Sequence, residues 1–139
     1  MNLLCDHRSI VGDREEIRVP ALAEPLSHYT DAVRAGDLLF VSGCIAVDGE
    51  GRLVGGDDVV AQTRQVFANV GRILAAAGAT FADVVKVTVY LTNIEDRARI
   101  NTVRKEIFGE TRPASTLVEV SRLAASGAKV EIEAVALIP

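Results

Sequence analysis

Two carboxylates two residues apart, Glu131 and Glu133, interrupt the apolar run VEIEAVAL near the end of this 139-residue chain. A carboxyl group set among apolar side chains titrates upward, into the range where it can take and return a proton. On the alternation alone, however, the pair forms the polar face of a strand. Cys44 could supply a thiolate nucleophile if a base or positive charge lay beside it; within LLFVSGCIAV it reads as a small core residue. The imidazoles are His7 and His28, so a Cys-His or Ser-His dyad would have to use His28. The GGDD run at 55–58 is a loop and a helix cap, because nothing adds the further ligands that a metal or phosphate site needs. Arg104, Arg112 and Arg122 read as surface charges unless an interface buries them.

These residues must be carried by elements that the hydrophobic periodicity lays out. The run EEIRVPA (15–21) predicts a short edge strand, which Pro20 confines to an edge or an end. The residues before it, about 1–14, form a mobile extension. A second short strand spans 31–35 and ends at a turn through Gly36. The apolar run 38–47 then predicts a strand buried on both faces. After a glycine-punctuated loop, Asp57 or Asp58 caps a helix whose Val59, Val66, Phe67, Val70, Ile73 and Leu74 face the core. Gln62, Arg64, Gln65, Asn69 and Arg72 are placed on its solvent side, and Gly78 stops it. The alternating, β-branched VVKVTVYL (84–91) is a strand, and Asn93 caps a second helix with Ile100, Val103 and Ile107 inward. Two strands, about 115–123 and 129–138, close the chain.

That order predicts a single α+β domain over residues 1–139: one mixed sheet with two helices covering one face. In the last strand Val130, Ile132, Ala134, Ala136 and Ile138 point one way, while Glu131, Glu133, Val135 and Leu137 point the other. Two helices bury only one of these sets. Val135 and Leu137, with Phe40 or its neighbours, therefore need another partner, and a homo-oligomer is the simplest one.

Bulk properties narrow the function classes. A formal net charge of −4 with scattered Lys and Arg gives no footprint for nucleic acid. No window reaches membrane-spanning length, and the N-terminal apolar run is too short for a secretion signal. Cys5 and Cys44 have neither CxxC spacing nor a His cluster nearby, so neither a disulfide framework nor zinc is expected, and the cytoplasm is the natural compartment.

Taken together, SHYTDAV, LLFVSG, AAAGATFADVVKVTVYLTNIED, Asn101 and the segment from RPAST to VEIEAVA resemble the Rid family, also called YjgF or L-PSP. The resemblance runs from about Ser27 to the C-terminus. It implies a chorismate-mutase-like fold assembled as a homotrimer with a cleft at each subunit interface, acting without a cofactor on a small reactive enamine or imine. It also implies a cleft formed by Tyr29, Ser42, Gly43, Asn101 and Ser115, with Glu131 positioning the hydrolytic water. Cys44 stands where many members have Gln, and Leu117 where some have Cys. Ser115 stands where the family carries an arginine that clamps the substrate carboxylate. A hydroxyl offers one hydrogen bond where a guanidinium offers two in parallel. Arg112 is then a candidate to swing in. The resemblance leaves two further readings: a non-catalytic ligand-binding or regulatory trimer, and the endoribonuclease activity attached to some relatives, which the acidic charge opposes.

Overall fold

The computed structural model describes residues 13–139. Cys5, His7 and the expected extension up to residue 12 lie outside the described residues. The first strand, β1, covers Arg14–Ile17, so regular structure begins slightly earlier than the pattern predicts and ends well before Pro20.

Six strands form one sheet in the order β1-β2-β3-β6-β4-β5, with β2 at Ala32–Ala35, β3 at Leu38–Cys44, β4 at Val84–Leu91, β5 at Ala114–Glu119 and β6 at Val130–Leu137. Only β4 and β5 pair in parallel; the other neighbours are antiparallel. Helix α1 (Val59–Ala76) carries the chain from β3 to β4, and α2 (Arg97–Phe108) carries it from β4 to β5. Both crossovers advance in the same direction across the sheet. With the usual right-handed connection, both helices must land on the same face. Strand β6 then inserts antiparallel between β3 and β4, which makes the sheet mixed.

The core lies between that face and the helices. Leu39, Val41, Val87, Val89, Leu91, Ile132 and Ala136 come from the strands, and Val66, Val70, Ile73, Ile100 and Val103 from the helices, all buried. Phe67, Phe81 and Phe108 meet edge to face with centroids 5.6–5.9 Å apart, locking α1, the β4 approach and α2 together. Asp58 caps α1, its carboxylate accepting from the Val60 and Ala61 amides at 2.9 and 3.2 Å. Asn93 caps a single 3₁₀ turn, Ile94–Asp96, that leads into α2. Among the described residues, no helix is long and apolar enough to cross a membrane.

Three expectations are corrected. Gln62 and Asn69 are buried, although the pattern placed them in solvent. They fall on the seam of Val59, Val66 and Ile73 at three- and four-residue spacing, and each satisfies backbone groups that would otherwise be orphaned. The Gln62 amide donates to the Gly56 and Gly127 carbonyls (2.7 and 2.9 Å) and accepts from the Lys129 amide (2.8 Å). Asn69 donates to the Ile45 and Val47 carbonyls at 3.1 and 2.9 Å. Second, β3 is buried on one face only: Leu39 and Val41 are inside, while Leu38 and Phe40 stay 36% and 46% exposed because no helix lies on that side. Third, β5 ends at Glu119 rather than near Leu123, because its partner β4 ends at Leu91, whose carbonyl takes the last bond, from the Val120 amide.

The uncovered face carries Leu38 and Phe40 opposite Leu137 and Val135, with Val118 farther out on β5. Leu137 is 48% exposed. The large side chains that the strand alternation left without a partner are therefore gathered on one open surface.

Candidate functional site

The ladder between β3 and β6 slips at one place, and the candidate site is built there. Val41 pairs with Ala134, but Cys44 pairs with Ile132, so Ser42 and Gly43 share the single opposing residue Glu133. Such a bulge bends its strand and re-aims the neighbouring side chains. Glu131 fills the space that results. A methyl group on Gly43 would lie 2.5 Å from Glu131 Oε2 and 2.9 Å from its Cδ, so only glycine lets the carboxylate lie across β3.

The two carboxylates of β6 have different surroundings. Glu133 accepts a hydrogen bond from the Tyr90 hydroxyl at 2.9 Å. Glu131 is half-buried and has no hydrogen bond to a described residue. Burial first, and the charge of Glu133 second, push the Glu131 carboxyl above its ordinary pKa. Cys44 is pushed up to about 12 by burial and by the charges of Asp31 and Glu131, and its thiol leans on the Ser42 carbonyl at 3.5 Å. It is a thiol at neutral pH, which agrees with the core reading and removes it as a nucleophile.

Beside the bulge opens a cleft of about 430 Å³, lined by Tyr29, Asp31, Ser42, Gly43, Cys44 and Asn69 among others. Its outer wall is the loop between β1 and β2, held by an ion pair that the sequence reading missed. Asp31 is buried and accepts from Arg18 Nη1 at 2.7 Å and from the Val19 amide at 2.8 Å. The guanidinium reaches on to the Leu22 carbonyl at 3.0 Å. Ser42 ties the bulge to the same loop, its hydroxyl donating to the Thr30 carbonyl at 2.6 Å and its amide to the Asp31 carbonyl at 3.0 Å. Tyr29 is half exposed at the cleft rim. His28 is exposed and does not line the cleft, so no dyad with Cys44 or Ser42 is formed.

The remaining candidates sit elsewhere. Ser115 is on the edge strand β5, in register with Val87 on β4, whereas Glu131 is in register with Tyr90. Val87 and Tyr90 are an odd number of residues apart, so Ser115 and Glu131 occupy opposite faces, separated by two strand spacings (roughly 10 Å) across the sheet and by three residues along it. Asn101 and Arg112 are exposed, on α2 and on the turn before β5. Arg112 does not reach Ser115. Arg104 does: its Nη2 donates to Ser115 Oγ at 2.7 Å. The guanidinium is half-buried, and that burial lowers its pKa. One chain thus lines the cleft with Tyr29, Ser42 and Gly43 and sets Glu131 against Gly43, outside that lining, and separately joins Arg104 to Ser115, with Asn101 three residues before Arg104 on α2.

A family model described as "Endoribonuclease L-PSP" matches residues 20–138, nearly the whole described chain. The chain belongs to the L-PSP, or Rid, family. Its similarity to a RutC family protein of Pyrococcus horikoshii is 45% identity over 124 residues, covering 88% of this chain and 97% of that one. A Rid relative from Capra hircus, named 2-iminobutanoate/2-iminopropanoate deaminase, is 39% identical over 121 residues, with 86% of this chain and 85% of its own covered. The crystal structure of E. coli TdcF with bound serine superposes with a TM-score of 0.81 at 35% identity, covering 88% of this chain and 98% of that one. The mixed α+β sheet with two helices is thus the Rid fold.

Proposed function

We propose that this Rid protein is a hydrolytic deaminase of a small imine or enamine, working in the cytoplasm without a cofactor as a chorismate-mutase-like homotrimer. The observation that carries the reading is the Glu131 carboxyl, laid over Gly43 with its pKa raised beside a cleft. Its sequence neighbour named as an iminobutanoate and iminopropanoate deaminase, and its structural neighbour holding serine, supply the substrate scale: a small amino-acid-derived molecule.

The chemistry needs a base that can later act as an acid. Protonation makes the imine carbon electrophilic. As water attacks that carbon, the π pair moves to nitrogen and Glu131 takes a proton from the water. The neutral carboxylic acid then returns a proton to the amine nitrogen; the C–N bond breaks as the hydroxyl oxygen forms the carbonyl, the regenerated Glu131 carboxylate takes the hydroxyl proton, and ammonia leaves. A carboxyl raised by burial is a stronger base toward water than one at its ordinary value, while its acid form can still protonate the more basic amine. Tyr29, Ser42 and Gly43 would hold the substrate against Glu131.

One chain supplies only part of this site, since Asn101 and Ser115 lie across the sheet. In the trimer, the exposed face bearing Phe40 and Leu137 packs against neighbouring copies, and the β5 edge of one subunit meets the Glu131 side of the next. The test is ammonia release from freshly generated 2-iminopropanoate. Glu131→Gln should lower the rate by about 10²–10⁴-fold. Equal rates in the two proteins would refute the role of Glu131. A non-catalytic binding trimer is the second reading, supported by Ser115 at the position where the resemblance implies a clamping arginine; retention of ligand unchanged, with no ammonia from the wild type, would establish it.

A further inference from the structure

We propose that Arg104 is the carboxylate anchor of the cleft, its guanidinium, held on Ser115, serving in place of the arginine that the Rid resemblance expects at position 115. The proposal rests on the deaminase reading for the chemistry of the site, and it narrows the substrate class to small imines that carry a carboxylate.

Three observations converge on Arg104. The first is its choice of partner. Of the three partly buried arginines among the described residues, Arg18 meets the Asp31 carboxylate and Arg34 donates to the Gly36 carbonyl in its own turn. Arg104 meets only the neutral Ser115 hydroxyl, and no carboxylate lies within ion-pair distance among the described residues. A partly desolvated cation without a counter-ion is costly unless something anionic arrives.

The second is capacity. One serine oxygen occupies one N–H of a guanidinium that has five, leaving a pair of parallel donors for a carboxylate. The third is position. Arg104 follows Asn101 by three residues, so the two side chains are neighbours on one face of α2, and Arg104 reaches Ser115 on β5. A long side chain from the helix thus reaches the place that a long side chain from the strand would otherwise fill. The small Ser115 is what leaves room for it, and its hydroxyl fixes the guanidinium. Arg112, the obvious sequence candidate, makes no such contact.

Pyruvate, the product of hydrolysing 2-iminopropanoate, is a suitable unreactive probe. Its binding is measured by calorimetry against the wild type, Arg104→Met, Arg104→Lys and the double variant Arg104→Met/Ser115→Arg, with circular dichroism confirming the fold of each. Arg104→Met should weaken binding by about tenfold or more, Arg104→Lys by less, and the added Ser115→Arg should restore it. Unchanged affinity in Arg104→Met, no pyruvate binding by the wild type, or no recovery in the double variant would overturn the proposal. Ammonia release is read in parallel with 2-iminopropanoate and with the imine of acetaldehyde, which lacks the carboxylate. Arg104→Met should raise KM for the first by a larger factor than for the second; an equal effect on both would overturn the anchor. If the wild type released no ammonia from either imine, the deaminase reading would fall while the pyruvate titration still decided Arg104.

Discussion

The Glu131 side and the Ser115 side of the molecule are built by different means. Around Glu131 the geometry is made by backbone: a bulge at Ser42–Gly43, a missing Cβ, and a loop clamped by Arg18 and Asp31. Around Ser115 it is made by side chains alone, one from a helix and one from an edge strand. A backbone device is set by the pairing of the strands and by the one residue type that fits the bulge. A side-chain device can be exchanged between neighbouring positions, because any residue that brings the same charge to the same point serves. The contrast explains how the backbone geometry around Glu131 can stay fixed while the side chains around Ser115 are exchanged.

That contrast is broken most severely at Gly43. Gly43→Ala should cost activity by up to about 10²-fold, because the displaced carboxylate no longer addresses the reacting carbon. The added methyl meets the far end of a flexible side chain, so the melting temperature should fall only slightly. A large loss of stability with full activity in the surviving protein would contradict the assignment.

Next in size is the clamp. Asp31→Ala removes the acceptor for both Arg18 and the buried Val19 amide. It should destabilise the protein by about 2–3 kcal/mol in urea unfolding. A change below a few tenths would show that the loop is held by other contacts. Gln62→Ala, which orphans the Gly56 and Gly127 carbonyls and the Lys129 amide, should cost a similar or slightly smaller amount by the same measurement, about 2 kcal/mol.

The smallest effect is on the pH dependence of stability. Because the folded pKa of Glu131 is raised, its ionised form is disfavoured in the native state, and the folded protein holds the proton more tightly than the unfolded chain. Its contribution therefore worsens as pH rises from the unfolded value through the folded one. Glu131→Gln should melt slightly above the wild type at neutral pH, with the gap closing below about pH 4. A gap that widened in acid would mean that the carboxylate is stabilised by a partner.

Much of the fold was legible in the chain because its periods are clean. VVKVTVYL is a strand over the very residues expected, and the alternation in VEIEAVAL separated the buried set from the open one. Polar residues on an apolar seam were not legible: Gln62 and Asn69 obey the helical period of the core, but their targets are carbonyls contributed by distant loops. The bulge was invisible for a related reason, since a register shift belongs to the pairing of two strands and neither strand shows it alone. The structure sets Gly43 of SG against Glu131, the first Glu of VEIE. Arg104 read as a surface charge because its partner lies eleven residues away, across the turn between α2 and β5. The available signal was its three-residue spacing from Asn101.

The central claim is that each cleft takes Glu131 from one subunit and Arg104 from another, and subunit mixing tests it most directly. Glu131→Gln and Arg104→Met proteins, each assayed alone at limiting 2-iminopropanoate, should be strongly impaired. Unfolded together and refolded, random trimers should place an intact pair in about one cleft in four and regain that share of wild-type activity. Activity that stays at the sum of the separate variants after confirmed mixing would contradict the account.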